Sequence, residues 1–300
     1  MNIYKIKRKI YLYTQYFLPK LLITKFFGYI AKKKLKIVTT ILIYIFIKIY
    51  KINIKDAKHS NIFYYKTFNH FFTRKINMNS RFFYKKDYHI IQNTDGIINQ
   101  IGFIKKNKIF QFKGCKYSLD ALVGNFLNIS KIFKNGNFIN IYLSPKEYHR
   151  VHMSYDGFLL KIIYIPGKLF PVNEIISQNL CNLFVLNERV IFLFKTSFGF
   201  MAQILIGAQI VGSINTSWSG NIIPFRKKMM KCWNWPYIEN YSQKDSIFLK
   251  KGEEMGYFNI GSTVITLFPP KTIIFNKDLK KGIKTKIGEL LATTIISKKK

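Results

Sequence analysis

A short polar tripeptide near the C-terminal end of the chain could do chemistry on its own backbone. Gly261, Ser262 and Thr263 interrupt an apolar, strand-like stretch that ends at Phe268. A serine hydroxyl in a strained turn can attack the carbonyl of the residue before it and convert that amide into an ester, and a preceding glycine leaves this carbonyl accessible. Elimination from the ester gives a dehydroalanine, whose hydrolysis releases ammonia and leaves a pyruvoyl group at a new N-terminus. The tripeptide therefore predicts a self-cleaving chain with a built-in electrophilic carbonyl.

Two upstream segments supply the other groups that this reaction needs. The segment YLSPKEYHRVHMSYDG carries His149 and His152, and the segment NTDG carries Asp95. An imidazole can take the serine proton and a carboxylate can fix the tautomer of that imidazole, so every component of an Asp-His-Ser relay is present. From the residues alone, metal binding by the histidine pair stays open, although a metal site needs more ligands than lie nearby. Asp95 also suits an ordinary Asp-Gly turn.

The elements that must hold these groups divide the chain into two regions. Residues 1–90 show apolar and aromatic residues at helical spacing, with Pro19 as a helix start or a kink. Residues 91–300 contain short β-rich segments, most of them bounded by Gly, Asn or Pro. The sequence therefore predicts an α+β protein with an N-terminal helical region and a β-rich catalytic core of packed sheets. Ser118 is expected to cap the clearest helix of the core, SLDALVGNFL.

The chain is strongly basic, with 49 Lys and Arg against 14 Asp and Glu and a formal net charge of +35. A polyanionic partner and a coding bias toward lysine explain this charge equally well. Only six of the cations are arginines, whereas base readout relies on the bidentate arginine fork. No nucleic-acid-binding motif is recognisable either. An anionic membrane surface is therefore favoured over nucleic acid as the partner.

The N-terminal region is the expected site of membrane contact. Its longest stretch without a charge, from Ile37 to Ile47, has 11 residues, whereas a spanning helix needs about 20. No cleavable signal peptide is expected. Apolar helices flanked by a lysine cluster such as 32–34 lie in the headgroup region of an anionic bilayer. The alternative of ordinary core-covering helices stays open, as does interfacial insertion by Trp233 and Trp235 of the predicted loop 224–245.

Cysteine spacing bears on cross-links and metal sites. Cys115, Cys181 and Cys232 are far apart and form no CxxC pair. This spacing predicts neither a disulfide framework nor a zinc site and fits a reducing compartment.

Four charged residues lie beside the motifs. Arg150 and Arg189 are rare arginines within the words HRVH and NERV, which indicates planar, bidentate partners, either a local salt bridge or a substrate. Glu253 and Glu254, shortly before the predicted cleavage point, are interpreted as surface charges of a loop.

Taken together, these segments resemble the phosphatidylserine decarboxylases of the bacterial type. The resemblance covers nearly the whole chain and is carried, in order, by YFLPKLLITKFFGY, YKTFNHFFTR, TDGIINQIG, KGCKYSLDALVG, YLSPKEYHRVHM, NERVIFLFKTSFGFMAQILIGAQIVGSI and the Gly-Ser-Thr segment. Each word alone is weakly specific, whereas their joint order is highly specific.

The resemblance implies roles for particular residues. Asp95, His152 and Ser262 would form the charge relay for cleavage between Gly261 and Ser262, which would give a large chain of residues 1–261 and a small chain of residues 262–300. The pyruvoyl group derived from Ser262 would be the cofactor and would form a Schiff base with the amine of phosphatidylserine. His149 would act in the decarboxylation step, and phosphatidylethanolamine would be released. No metal is expected.

The resemblance also implies partners and a location. The expected state is a homodimer of processed pairs, bound as a peripheral protein to the cytoplasmic face of the cell membrane. Three rival functions remain: a pyruvoyl decarboxylase acting on another amine-bearing lipid or on a soluble amino acid, a lipid-binding protein without catalysis, and a basic nucleic-acid binder. The apolar N-terminal helices disfavour the soluble substrate.

Overall fold

The computed structural model of the chain describes residues 3–209, 214–222, 229–235, 246–259 and 262–295. At residues 3–9 and at Ser262 the description is limited to the backbone. Gly261, half of the predicted cleavage site, lies outside the described residues, as do residues 224–228 and 236–245 of the predicted loop.

Three of the helices lie in the first fifty residues, as the apolar spacing predicted. The α-helices of the described residues are α1 (Ile3–Phe17), α2 (Lys20–Lys32), α3 (Ile37–Tyr50), α4 (Phe68–Phe72), α5 (Leu119–Leu122), α6 (Leu127–Phe133), α7 (Glu174–Ser177) and α8 (Leu183–Leu186). Pro19 precedes α2 and separates it from α1, because proline fixes its own φ and lacks the N–H that a continuing helix would use. The chain leaves α3 through Lys51, which takes a left-handed conformation.

From His89 onward the chain is mainly β-structure. The strands are β1 (His89–Ile91), β2 (Gly96–Phe103), β3 (Lys108–Phe112), β4 (Cys115–Ser118), β5 (Asn137–Leu143), β6 (Arg150–His152), β7 (Gly157–Ile165), β8 (Arg189–Thr196), β9 (Gly199–Ile206), β10 (Ile214–Thr216), β11 (Gly220–Asn221), β12 (Lys231–Asn234), β13 (Phe248–Leu249), β14 (Glu254–Phe258), β15 (Ser262–Phe268), β16 (Ile273–Phe275), β17 (Lys284–Thr285) and β18 (Leu290–Thr294). The predicted α+β class is confirmed. The two-region division at residue 90 stays a prediction.

The strands form one large antiparallel sheet and three small ones. The large sheet has the order β12-β7-β8-β9-β15-β5-β2-β17, with β13 also paired to β7. A second sheet has the order β11-β10-β14-β6, a third β1-β18-β16, and β3 pairs with β4. The segment Lys231–Asn234, which the sequence analysis assigned to a loop, is strand β12 at the edge of the large sheet.

The core explains the apolar character of the central strands. In β5, β8 and β9 nearly every side chain is buried, so both faces of the large sheet are covered. One continuous apolar cluster includes Phe192 of the large sheet, Phe258 of the second sheet and Leu122 of α5. The packed-sheet core predicted from the sequence is therefore present.

The N-terminal helices leave much apolar surface exposed. Within the described residues, more than half of the large apolar side chains that are exposed lie between residues 10 and 50. Examples are Leu22, Phe26 and Tyr29 on α2, which are 66, 60 and 62% exposed. Patches of this kind mark contact surfaces in monomers. No helix within the described ranges has the length and apolar character needed to cross a bilayer.

The cysteines differ from the expectation. Cys115 of β4 and Cys181 are joined in a disulfide, with their Cα atoms 5.8 Å apart. The prediction that the cysteines form no disulfide is therefore wrong. The two residues meet because Gln111 of β3 donates hydrogen bonds to the carbonyls of Ser177 and Leu180 and holds that segment beside the hairpin.

Candidate active site

The predicted cleavage point begins a central strand of the large sheet. Ser262 is the first residue of β15, where it lies opposite Leu143 of β5. One residue further on, Thr263 pairs with Tyr142 on one side and with Ile206 of β9 on the other. Because both edges of β15 are hydrogen-bonded, the sheet fixes the backbone at this point.

The two histidines lie in the segment that follows β5, the strand that pairs with Ser262. After Leu143 the chain turns at Ser144, whose carbonyl accepts a hydrogen bond from the Glu147 N–H at 2.9 Å, and it then reaches β6. His149 precedes β6 and His152 ends it. The register of β5 with β15 therefore places the start of the segment that carries both histidines at the end of the sheet where β15 begins.

His149 is a fully buried imidazole with no polar partner. Its exposure is 0%, and neither ring nitrogen has a hydrogen-bond partner among the described residues. Burial lowers the pKa of His149 to about 3, and the positive charge of Arg74 acts in the same direction. Backbone groups of Pro145 and Ser144 oppose part of this effect through hydrogen bonding to the ring that falls outside standard geometry. At neutral pH this ring is uncharged.

An apolar cavity of about 630 Å³ lies beside the same end of β5. Its wall is formed by residues of α2, α3 and α4 together with Tyr142 and Leu143 of β5, and no charged side chain lines it. Phe72, which contacts His149, is part of the wall. The cavity can hold a hydrocarbon chain close to the strand end that Ser262 occupies.

His152 is held at both nitrogens. Its Nδ1 lies 2.8 Å from the Gly252 carbonyl and its Nε2 lies 2.9 Å from the Tyr148 hydroxyl. Since a carbonyl only accepts, the proton is on Nδ1, and Nε2 accepts from the tyrosine. Gly252 can present its carbonyl here because it adopts φ +83°, which is strained for other residues. Burial lowers the pKa of His152 to about 4, although the Gly252 hydrogen bond and Glu254 oppose that effect.

Asp95 is engaged by two other groups. Its Oδ2 lies 2.6 Å from Nη2 of Arg81, and its Oδ1 accepts the Ile287 N–H at 2.8 Å. Burial raises the pKa of the Asp95 carboxyl, while the Arg81 guanidinium and the Ile287 N–H oppose that rise. The structure shows no hydrogen bond between Asp95 and His152. The two predicted members of the relay are therefore not directly joined.

Comparisons with known proteins bear on this arrangement. A family model described as "Phosphatidylserine decarboxylase" matches residues 68–293, and a model described as "PSD" matches residues 10–51. The chain belongs to the phosphatidylserine decarboxylase family. A phosphatidylserine decarboxylase proenzyme of Escherichia coli O45:K1 is 47% identical over 281 residues, which are 93% of this chain and 86% of that protein. The Klebsiella pneumoniae proenzyme is 46% identical over 94% of this chain and 87% of its own length. The Salmonella arizonae proenzyme is 47% identical over 93% and 86%.

Family membership confirms the resemblance that the motifs predicted. It leaves the roles of individual residues as predictions, and those of Gly261 and of the Ser262 side chain concern parts outside the described residues. In the part of this decarboxylase-family chain that the structure describes, no three His, Cys, Asp or Glu side chains come together as a metal site would require.

Tyr148 is a site residue that the sequence analysis missed. It is 4% exposed, and its hydroxyl occupies the nitrogen through which His152 would act as a base. Burial raises the pKa of Tyr148, with contributions of the same sign from Glu254 and Asp95. Tyr148 also packs with Ile287, whose N–H binds Asp95. Its hydroxyl therefore links the His152 ring to the region of the Arg81–Asp95 pair. The available signal was its place directly before His149 in the YHRVH word.

The two arginines in motif words have local partners. Arg189 donates to the carbonyls of Ala121 and Leu122 at the end of α5 and to those of Val185 and Asn187 at the end of α8. The last carbonyls of a helix lack their usual partners four residues further on, so the guanidinium group caps the ends of two helices. Arg189 therefore has a structural role in the fold.

Arg150 has a different set of partners. It forms an ion pair with Glu254 and donates to the Thr73 carbonyl at 2.9 Å. Glu254 lies on β14, so its interpretation as a surface charge of a loop is wrong. The register of β14 with β6 places Glu254 opposite His152, which brings this ion pair to the site.

The Tyr148 hydrogen bond can be tested by titration. Tyr148→Phe, made in an uncleaved Ser262→Ala background, should raise the pKa of His152 from about 4 by about one pH unit, because it removes a donor that stabilises the neutral ring. The measurement is an NMR titration of labelled histidine. Tyr155→Phe is the control, since that hydroxyl bonds Ser197 at 3.0 Å instead. An unchanged His152 pKa in Tyr148→Phe would contradict the hydrogen bond.

Proposed function

We propose that this chain is a self-maturing phosphatidylserine decarboxylase that forms phosphatidylethanolamine and carbon dioxide at a membrane surface. The observation that carries the proposal is the pairing, at the start of β15, of a buried and unpartnered His149 with an apolar cavity. This arrangement combines a neutral proton carrier with space for a lipid tail. Membership in the family and the relatives named as decarboxylase proenzymes support the substrate and the self-processing.

Self-cleavage requires a base for the Ser262 proton, and we assign this role to His152. Its Nδ1–H is held by the Gly252 carbonyl, so Nε2 carries the lone pair. With its pKa at about 4 the ring is neutral at physiological pH and ready to accept a proton. Nε2 must first release the Tyr148 hydroxyl. We keep Asp95 in the relay, acting electrostatically through the cluster that it shares with Arg81 and Tyr148.

The residues around the start of β15 fit a pyruvoyl group derived from Ser262. A new N-terminus at this point would be held by the register of Thr263 with both neighbouring strands. His149 has two unpartnered nitrogens in the same region and can hold or release a proton there. The pyruvoyl carbonyl would supply the electron sink for the electron pair left when carbon dioxide departs.

The large chain 1–261 and the small chain 262–300 would stay together after cleavage. The small chain contributes β15 to the centre of the large sheet and β18 to the middle of the third sheet. Side chains also bridge the two parts: Asn93 donates to the Thr266 hydroxyl at 3.1 Å, and Ile287 donates to Asp95.

We further propose that α1, α2 and α3 bind the membrane as a peripheral element on the cytoplasmic face of the cell membrane. Their exposed apolar side chains and the lysine cluster at 32–34 support insertion into an anionic headgroup region. Residues of α2 and α3 line the cavity, which would let a lipid tail reach the site without leaving the apolar phase. A homodimer of processed pairs is proposed by analogy with the family.

Ser262→Ala tests the source of the electrophile. The variant should remain a single uncleaved chain without decarboxylase activity, because the hydroxyl is both the attacking group and the origin of the pyruvoyl carbonyl. Denaturing electrophoresis and intact mass spectrometry check the cleavage, and release of labelled carbon dioxide checks the activity. The neighbouring Thr263→Val, which removes a different buried hydroxyl, is the control and should still be cleaved. Recovery of a small fragment from Ser262→Ala would contradict the assignment.

The two histidines are expected to act in different steps, His152 in self-cleavage and His149 in decarboxylation. His152→Ala should block self-cleavage, whereas His149→Ala should mature and then lose most of its turnover, by about 100-fold or more for a lost general acid-base group. Cleavage is followed on gels and turnover is measured on the matured fraction. Equal cleavage defects in the two variants would show that the roles are divided wrongly, and full turnover in both would show that neither histidine carries the step assigned to it. Absence of turnover in the wild-type protein would instead support a lipid-binding protein without this catalysis.

Membrane contact is tested on full-length protein with vesicles. Replacing Leu22, Phe26 and Tyr29 together by Gln should weaken binding to anionic vesicles at least about tenfold, because apolar burial is lost. The residual binding should be removed by salt, since lysine attraction is screened. The control replaces the exposed Phe63 and Phe82, which lie outside the three helices, by Gln.

The vesicle experiment also has a contrary outcome. Unchanged binding in the triple variant would move the membrane contact to the segment that carries Trp233 and Trp235. Binding to nucleic acid in place of vesicles would support the rival basic binder.

A further inference from the structure

His149 is stacked on an aromatic ring from the helical region. The ring centroids of His149 and Phe72 are 4.1 Å apart and their planes differ by 19°. Both side chains are buried, at 0 and 1% exposure. Since neither nitrogen of His149 has a hydrogen-bond partner of standard geometry in the described part of the chain, stacking on Phe72 helps to set the plane of this imidazole.

Phe72 also connects His149 to the helices that carry the exposed apolar surface. It is the last residue of α4. Phe46 of α3 contacts it with ring centroids 6.1 Å apart at an interplanar angle of 61°. Phe46 also packs edge-on against Phe68 of α4 at 5.1 Å. A continuous line of aromatic contacts therefore runs from α3 through Phe72 to His149.

The same ring forms part of the wall between His149 and the apolar cavity. Phe46 and Phe72 line the cavity, whereas His149 does not. A ligand in the cavity would therefore touch Phe72 before it touched the imidazole. Any shift of the Phe72 ring would tilt the His149 plane or admit water to it.

We propose that Phe72 is a positioning residue for the decarboxylation step, because its ring fixes the plane of His149 and transmits the placement of α3 to it. The inference rests on the proposed role of His149. Phe72 does not touch the reacting bond and supplies no proton. It determines where the His149 nitrogens lie and keeps water from them, and small misplacements of such groups reduce rates strongly.

The test compares Phe72 with its neighbour. Phe72→Leu removes the stacking plane, and Phe72→Tyr keeps it. Phe71→Leu is the matched control, because Phe71 is equally buried, lies on the same helix and also contacts Phe46, yet does not stack on His149. Each full-length variant is assayed for self-cleavage and for kcat and KM with phosphatidylserine in mixed vesicles. A second measurement is the pKa of His149 by NMR in an uncleaved Ser262→Ala background.

Phe72→Leu should mature normally, lose about tenfold or more in kcat with little change in KM, and show a His149 pKa above about 3. Phe72→Tyr and Phe71→Leu should keep kcat within about threefold and leave that pKa unchanged. An unchanged pKa and kcat in Phe72→Leu would overturn the positioning role, as would an equal loss in Phe71→Leu.

Failure of the proposed function gives a different result. A wild-type protein that does not decarboxylate phosphatidylserine would refute the function, and full turnover by His149→Ala would refute the step on which this inference rests. The NMR titration needs no turnover, so it tests the stacking itself even if the family activity is absent.

Discussion

The double-sided hydrogen bonding of β15 is the constraint on which the rest of the site depends. A serine at the end of an edge strand could adopt many positions, whereas here β5 pairs with Ser262 itself and both β5 and β9 pair with the next residue, Thr263. The turn that follows Leu143 then delivers the histidine segment to the same end of the sheet. The sheet thus fixes the position of Ser262 relative to the start of the histidine segment.

The second determining feature is the exclusion of water from the imidazoles. His149 and His152 are both buried among apolar side chains, and their pKa values of about 3 and about 4 keep them neutral over the physiological range. Protonation of either ring would have to occur inside the folded protein. The unfolded chain, with histidine pKa near its ordinary value, binds these protons more readily, so folding stability falls as the pH drops below about 6.5 toward these values.

Much of the fold was readable from the sequence because the signals are local. The apolar runs of the central strands and the proline before α2 report directly on burial and backbone geometry. The predicted helix SLDALVGNFL shows where local reading stops: Ser118 caps α5, but Gly124 and Asn125 take left-handed conformations and split the segment into α5 and α6. The contact between Cys115 and Cys181 could not be predicted from their spacing. It depends on Gln111 of β3, whose hydrogen bonds to Ser177 and Leu180 hold the segment before Cys181 beside the β3–β4 hairpin.

The candidate site was predicted in its residue types but not in its connections. His149, His152 and Asp95 were found from motif words, which indicate chemistry but not hydrogen-bond partners. The engagement of Asp95 by Arg81 and of His152 by Tyr148 requires tertiary placement, and no periodicity encodes it. In a buried polar network, each group bonds to the donor or acceptor that the tertiary structure places within reach, because water is excluded.

The central position of β15 has a consequence for how the protein can fold. In the intact chain the strand is covalently tied to its neighbours, and insertion into the sheet is a unimolecular event. If the bond before Ser262 is cut as proposed, the same strand becomes part of a separate peptide of 39 residues. Unfolding would then release two molecules, and recovery of the sheet would depend on their concentration. A matured protein of this kind would be maintained by slow unfolding rather than by a reversible folding equilibrium.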